Sequence, residues 1–363
     1  MSTLSVAVGP QHPGSGHFRL QLTLDGDIIV DAKPDAGYVH RGEEKMNEYR
    51  NYFQNVPHLE RPVILDSTNA LYPYVLAVEK LANINVPERA HYLRVIASEM
   101  NRIISHEYWL SIYGVFLGHS TMFMWPMADR ELFIDLMDML TGARVTHSYL
   151  IPGGVRNDMP DGFKEKALTY IRYFRKRLKE YDRIFYSNPI FTKRTQGVGI
   201  LAPEDAIELG VVGNVLRGSG VRSDIRVDEP YGIYDQLDFD IPVFKTGDSY
   251  SRAMVPYLEM YESCRIIEQA FEKMPSGSVR VKYPAQAGLR TPAGETYART
   301  EAARGEMGHY LVSDGTNKPY RLKLSSPSFR NLTAMNFLLK GARLADMPAI
   351  YWSFNYWPVE ADR

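Results

Sequence analysis

The chain reads as an α+β protein in which an elongated helix bundle stands between a small N-terminal and a small C-terminal β-sheet. Three observations carry this. Strand-like alternation is confined to stretches near the two ends. The middle is a succession of segments with apolar residues at three- and four-residue steps. At 363 residues the chain is long enough to bury one large core with lobes. The expected organisation is one compact subunit: an N-terminal sheet with a histidine-bearing loop over 1–36, a helical core over 37–275, and a C-terminal β-containing region over 276–363, packed on that core.

From Leu4 to Lys33 the pattern alternates, as in "FRLQLTL" followed by "DIIV", with Asp25-Gly26 between them as a hairpin signal. From Gly37 to about Ser187 the period becomes helical in "GEEKMNEYRNYFQ", "VLAVEKLANI", "ERAHYLRVIASEMNRIISHEYWLSIYG", "ADRELFIDLMDMLTGAR" and "DGFKEKALTYIRYFRKRLKEYDRIFYS". Gly142, after "DMLT", fits a helix C-cap. Several such helices in a row predict a bundle. After Asn188 the chain turns irregular and glycine-rich ("GVGI", "RGSGVRSDIR") before one more long helix from Ser251 to Met274. The end, "GETYARTEAARGEMGHYLVSDG" and "PYRLKLSSP", alternates like a terminal sheet. There is no internal repeat and no low-complexity segment.

Composition narrows the function classes. With 42 Lys+Arg against 43 Asp+Glu, the net charge of -1 leaves no global field to draw the protein to nucleic acid or an anionic bilayer. One cysteine, Cys264, makes neither an internal disulfide nor a thiolate-ligated metal site, and suits a reducing cytoplasmic setting. No apolar run approaches the roughly 18 residues of a membrane span, and "MSTLSVAVGPQHP" lacks the basic start and apolar core of a signal peptide. If the protein works at a membrane, partners hold it there.

The segments "PGGV" at 152–155 and "RGSG" at 217–220 invite a phosphate-loop reading. Neither has the lysine and spacing of a P-loop or the GxGxxG of a dinucleotide site. Backbone turns are the better reading, and no NADH site is expected in this chain.

Taken together and in order, "VGPQHP", "GYVHRGEEKMNEYRNY", "AVEKLANINVPERAHYLRVI", "IPGGVRNDMP", "LRGSGVRSDIR", "YDQLDFDIPV", "TGDSYSR", "RGEMGHYLVSDG" and the final "ADR" resemble the quinone-site large subunit of complex I, a family of NADH-quinone oxidoreductase subunits. That family shares its fold with the large subunit of nickel-iron hydrogenases, which hold their metal with two CxxC pairs. Here the corresponding stretches read "ERPVILDSTNA" and "SFNYWPVEADR", without a cysteine. A nickel-iron centre needs soft thiolate ligands, so hydrogenase chemistry is not expected. The resemblance implies that the old metal cavity has become a quinone headgroup cavity, with quinone as substrate. Its electrons would come from a terminal [4Fe-4S] cluster in a small iron-sulfur subunit. The chain itself would bind no iron-sulfur cluster, flavin or NAD. Other hydrophilic and membrane subunits would hold it on the cytoplasmic side of the cell membrane.

Reducing a quinone needs two protons at opposite sides of a ring, for which Tyr and His are the natural donors. Tyr74 in "LYPYVLAVEK" matches the family tyrosine that bonds one quinone carbonyl; Tyr72, across Pro73, is the competing assignment. The family loop HPxxHG carries a quinone-binding histidine, and here it reads "HPGSGHFRL", which displaces that histidine by one position to His17 and leaves His12 as a second candidate. Both are alternatively turn-capping residues. Many family members carry an aspartate at the position aligned with Phe116, and phenylalanine neither accepts that hydrogen bond nor holds a charge. His119, one turn on if the segment is helical, would compensate, or is simply packed. Met122 in "TMFMW" would line a ligand chamber or pack between helices. Arg41 resembles the family arginine near the terminal cluster, where a fixed positive charge favours the reduced cluster; an ion pair with Glu43 or Glu44 is the alternative. His147 lies beside Thr146, the position aligned with the family histidine linked to that cluster. Two further readings stand beside this one: the same subunit type in a complex fed by reduced F420 or ferredoxin, and a scaffold that kept the fold and lost the chemistry.

Overall fold

The computed structural model describes residues 3–11, 16–283 and 288–363. Its N-terminal sheet has three antiparallel strands in the order β1 (Leu4–Val8), β2 (Arg19–Asp25) and β3 (Ile28–Asp35). The turn at Asp25-Gly26 forms as read, with Gly26 in the left-handed region at φ 64°. Alternate residues Leu20, Leu22 and Leu24 of β2 face the core, the period-2 pattern of a half-buried strand.

A helix of 29 residues, Glu88–Phe116, forms the centre of the bundle. It packs against Ser120–Thr141 and Ser249–Lys273. The central helix buries nearly every side chain on all sides, including Arg94, Glu99, Arg102, His106 and Glu107. Its charged residues are therefore inside the protein, where charges persist only when paired or neutralised. The Ser120–Thr141 helix ends on Gly142 at φ 78°, whose amide donates to Asp138 O at 2.7 Å, so the C-cap is the one expected.

"GEEKMNEYRNYFQ" is helical only over Glu43–Asn47. The Asn47 side chain donates back to Glu43 O at 2.6 Å, and Asn55 Nδ2 donates to Asn47 O at 3.1 Å. Local side-chain bonds of this kind compete with the helical ladder. After a short helix at Val56–Leu59 and a 3-10 turn at Arg61–Asp66, the Ser67–Ala82 helix starts well before "VLAVEK" and accommodates Pro73.

The "PGGV" segment lies across a two-strand hairpin, β4 (Leu150–Ile151) and β5 (Gly154–Val155). The terminal sheet forms as read, with β6 (Gly294–Ala302), β7 (Gly305–Ser313) and β8 (Arg321–Ser325) antiparallel in that order. β6 and β7 pack on the Ser67–Ala82 helix. Short helices close the chain: Pro327–Asn331, Thr333–Leu339, Met347–Ser353 and Pro358–Asp362.

Candidate functional site

The two cysteine-free stretches meet in the fold. Asp66 Oδ2 accepts from Ala303 N at 2.7 Å, and Asn355 Nδ2 donates to Ala303 O at 3.4 Å, so both stretches bond to the turn joining β6 to β7. Asp66, Arg304, Asn355, Tyr356 and Glu360 are all buried there. The loop after β1 returns beside the second stretch. An added Cβ at Gly16 would lie 3.8 Å from Pro358 Cγ, and the ring of Phe18 packs on Tyr351 and Tyr356 at 6.1 and 5.1 Å. Asp362 ties the next loop down: its carboxylate accepts from Gly37 N at 2.7 Å and Val39 N at 2.8 Å, while its carbonyl lies 2.7 Å from His40 Nδ1. A cleft of about 390 Å³ opens beside this latch, lined by His40, Glu44, Arg321, Lys323, Phe329 and Arg363.

Tyr74 is fully buried in the Ser67–Ala82 helix; its hydroxyl donates to Tyr52 O at 3.0 Å, with the Asn55 side chain beside it. Burial drives its phenol far above the ordinary tyrosine value, so it is a proton holder at neutral pH. The His309 ring of β7 lies 6.1 Å from it. Tyr72 points elsewhere, toward Tyr231 and the Arg94 guanidinium at 5.1 and 5.8 Å.

Arg41 and His147 come to the same part of the chain. From Asn55 the hydrogen bonds run through Asn47 to Glu43 O. The Glu43 carboxylate lies 2.6 Å from His58 Nε2 and 3.9 Å from the Nε of Arg41, whose side chain is 59% exposed. Arg41 thus has the Glu43 partner foreseen as its alternative, at the outer limit of an ion pair. His147 is buried against the start of the Tyr74 helix, its Nδ1 3.2 Å from both Ser67 Oγ and Thr68 Oγ1. Its Nε2 has no hydrogen-bond partner among the described residues. Burial lowers its pKa to about 4, so the ring is neutral. The turn around it is strained, with φ 52° at Thr146 and 44° at Ser148. The buried Glu60 carboxylate holds that turn by accepting the Ser148 amide at 2.8 and 2.9 Å.

The remaining candidates are dispersed. His12 lies outside the described residues. His17 is exposed at φ 69°, and its amide donates to Pro10 O at 3.1 Å. Phe116 stacks on Trp352 at 5.1 Å. The continuous helix that would have set His119 one turn beyond Phe116 is absent: the central helix ends at Phe116, and Gly118 turns the chain at φ 84°. His119 instead caps the next helix, its Nδ1 accepting from Met122 N at 3.2 Å, and its ring meets Phe185. Met122 is wholly buried against Gly114, where an added Cβ would come within 2.6 Å of Met122 Cβ. Tyr74, Arg41 and His147 thus each contact the 41–68 segment, at Tyr52, Glu43 and Ser67–Thr68 respectively, whereas the contacts described for His17, Phe116, His119 and Met122 lie elsewhere.

Sequence reading missed the largest polar feature. Glu99, Arg102, His106, Arg217, Asp224, Arg226, Glu259 and Glu301 form a connected, fully buried charge network. The "RGSG" segment, read as backbone turns, supplies Arg217 from a short helix, Asn214–Gly218. The signal available was five charged residues interspersed with glycines in "RGSGVRSDIRVD". Among the described residues no cluster of His, Cys, Asp and Glu has the arrangement to hold a metal ion, and no helix is long and apolar enough to cross a membrane.

A mainly helical α+β subunit, with a buried tyrosine in its first long helix, a neutral buried histidine against the start of that helix and two cysteine-free stretches bonded to one turn, is the class that fold and site define. The chain belongs to the family described as respiratory-chain NADH dehydrogenase, 49 Kd subunit, whose model matches residues 117–287 and 282–363. It is 44% identical to an F(420)H(2) dehydrogenase subunit of Methanosarcina mazei, covering 99% of this chain and 97% of that one. To an NADH-quinone oxidoreductase subunit of Desulforamulus reducens it is 43% identical, over 98% and 97% of the two chains. A chain in the solved structure of the membrane-bound sulfane sulfur reductase, an archaeal respiratory membrane complex, matches with a TM-score of 0.96 at 39% identity, over 99% of this chain and 98% of that one. The family read from the ordered motifs is the family found.

Proposed function

We propose that this chain is the acceptor-site subunit of a complex I-type respiratory membrane complex, where it positions and protonates a quinone that receives electrons from an iron-sulfur cluster of an adjacent small subunit. The observation that carries this reading is that Tyr74, Arg41 and His147 all contact the 41–68 segment, with hydrogen bonds leading from the Asn55 side chain at Tyr74 to Glu43. Tyr74 is the proton donor to one carbonyl, because its phenol stays protonated until a developing oxyanion draws on it. Arg41, exposed, and His147, with its unpartnered Nε2, face the cluster of the partner. His17 and His12 bind the second carbonyl from their loop. The chain sits peripherally on the cytoplasmic side, held by the other subunits, and binds no cofactor of its own. Its mobile substrate carries the redox change.

The test is Tyr74→Phe in the assembled complex. Acceptor reduction should slow by about 10²-fold with assembly intact; parental turnover would remove Tyr74 from the donor role. A second reading, a complex fed by reduced F420 or ferredoxin, is favoured by Phe116 at the usual aspartate position; the 44% identity to a subunit of an F(420)H(2) dehydrogenase is equalled by NADH-quinone oxidoreductase subunits. Assaying the assembled complex with NADH, reduced F420 and reduced ferredoxin separates the two.

A further inference from the structure

The buried charge network joins five parts of the fold. The central helix supplies Glu99, Arg102 and His106; Arg217 comes from Asn214–Gly218, Asp224 and Arg226 from the segment after it, Glu259 from Ser249–Lys273, and Glu301 from β6. Arg102 lies 3.2 Å from Glu99, Arg226 lies 3.2 Å from Glu99 and 2.7 Å from Asp224, and Arg217 bridges Glu301 at 2.7 Å to Glu259. Glu259 ends the row at His106 Nε2, 2.9 Å away. All eight side chains are 0–3% exposed.

The charges do not balance. Arg102, Arg217 and Arg226 face Glu99, Asp224, Glu259 and Glu301, leaving one negative charge without a counterpart. An uncompensated charge in so dry a place costs many kcal/mol, and such groups neutralise instead. His106 is a poor carrier of the missing charge. Its Nδ1 has no partner among the described residues, so an imidazolium would bury an unsatisfied donor beside Arg102. Among the carboxylates, Glu99 accepts from Arg102, Arg226, Tyr234 and Ser263; Asp224 is chelated by Arg226; Glu259 has Arg217 and His106. Glu301 has one guanidinium nitrogen and the Ile225 amide at 3.2 Å, and it faces Asp224.

We propose that Glu301 is an internal proton-binding site, holding the one exchangeable proton that balances the network's charge. Burial, with Asp224 adding to it, pushes this carboxyl up to about 7 despite Arg217. Arg102 donates to the backbone carbonyls of Glu301 and Ala302 at 2.7 and 2.9 Å, and the next residue, Ala303, donates to Asp66, which fixes the strand that carries the site to the start of the Tyr74 helix. The proton-binding site does not rest on the proposed function.

Infrared difference spectra of the assembled complex across neutral pH test the site. The spectrum of the parent minus that of Glu301→Gln should contain a protonated-carboxyl band that disappears with a midpoint near pH 7, in excess of the band from Glu60, whose carboxyl burial also raises to about 7 and which both proteins share. Bands of equal area in the two proteins, or no such band in the parent, overturn the proposal. If Glu301→Gln does not assemble, Glu301→Asp serves: the band should change frequency or midpoint, and an unchanged band overturns the proposal. The site and the function reading fail separately: an intact infrared result with parental turnover in Tyr74→Phe would sink the function reading and leave the site standing.

Discussion

His147 shows what burial does to a single titratable side chain. Free imidazole titrates at 6.5 and here at about 4, chiefly because the charged form loses its water. The unfolded chain therefore takes up this proton first as pH falls. Stability is intact above pH 6.5 and declines toward pH 4, by on the order of 3 kcal/mol at the lower end. Denaturant midpoints followed down in pH should fall more steeply for the parent than for His147→Gln; parallel curves would mean the ring is not held neutral. At this scale the motifs made Tyr74 and His147 legible as candidates. They could not show that His147 leans on Ser67 and Thr68, 80 and 79 residues away, or that His17 stands in left-handed backbone. Those depend on the path of the chain between them.

Between elements, the Glu88–Phe116 and Ser120–Thr141 helices come very close where they diverge. A Cβ at Gly114 would overlap Met122 Cβ at 2.6 Å, so only glycine lets the helices come this near. Gly114→Ala should destabilise the protein by about 1–3 kcal/mol, as overpacking does, read as a lower thermal midpoint; an unchanged midpoint would refute the contact. Helical periodicity in the sequence announced both helices. It left the stretch between Gly114 and Ala128 open and did not place the break at Leu117–Gly118, because apolar residues continue through it, and that break makes His119 a cap.

Over the whole molecule, the buried network ties the central helix to the Ser249–Lys273 helix, the 214–228 segment and β6. Arg217→Met should cost about 3–5 kcal/mol, since it leaves Glu259 and Glu301 buried without their main cation. Arg265→Met, which removes partly exposed pairs with Asp238 and Asp240, should cost about 0–1 kcal/mol. Unfolding curves of the two variants check the contrast, and similar losses would show that the network contributes no more than a surface pair.

Local pattern in the sequence determined the α+β class, the two terminal sheets, the long helices and the Gly142 cap, because period and turn chemistry act over a few residues. Its ordered motifs also determined the family. Tertiary structure alone decided which polar residues are buried and what they face. Arg217 and Glu301 are 84 residues apart and bond at 2.7 Å. Whether a charged residue sits in water or in a dry network is set by the packing of distant segments, and no short window of sequence contains that information.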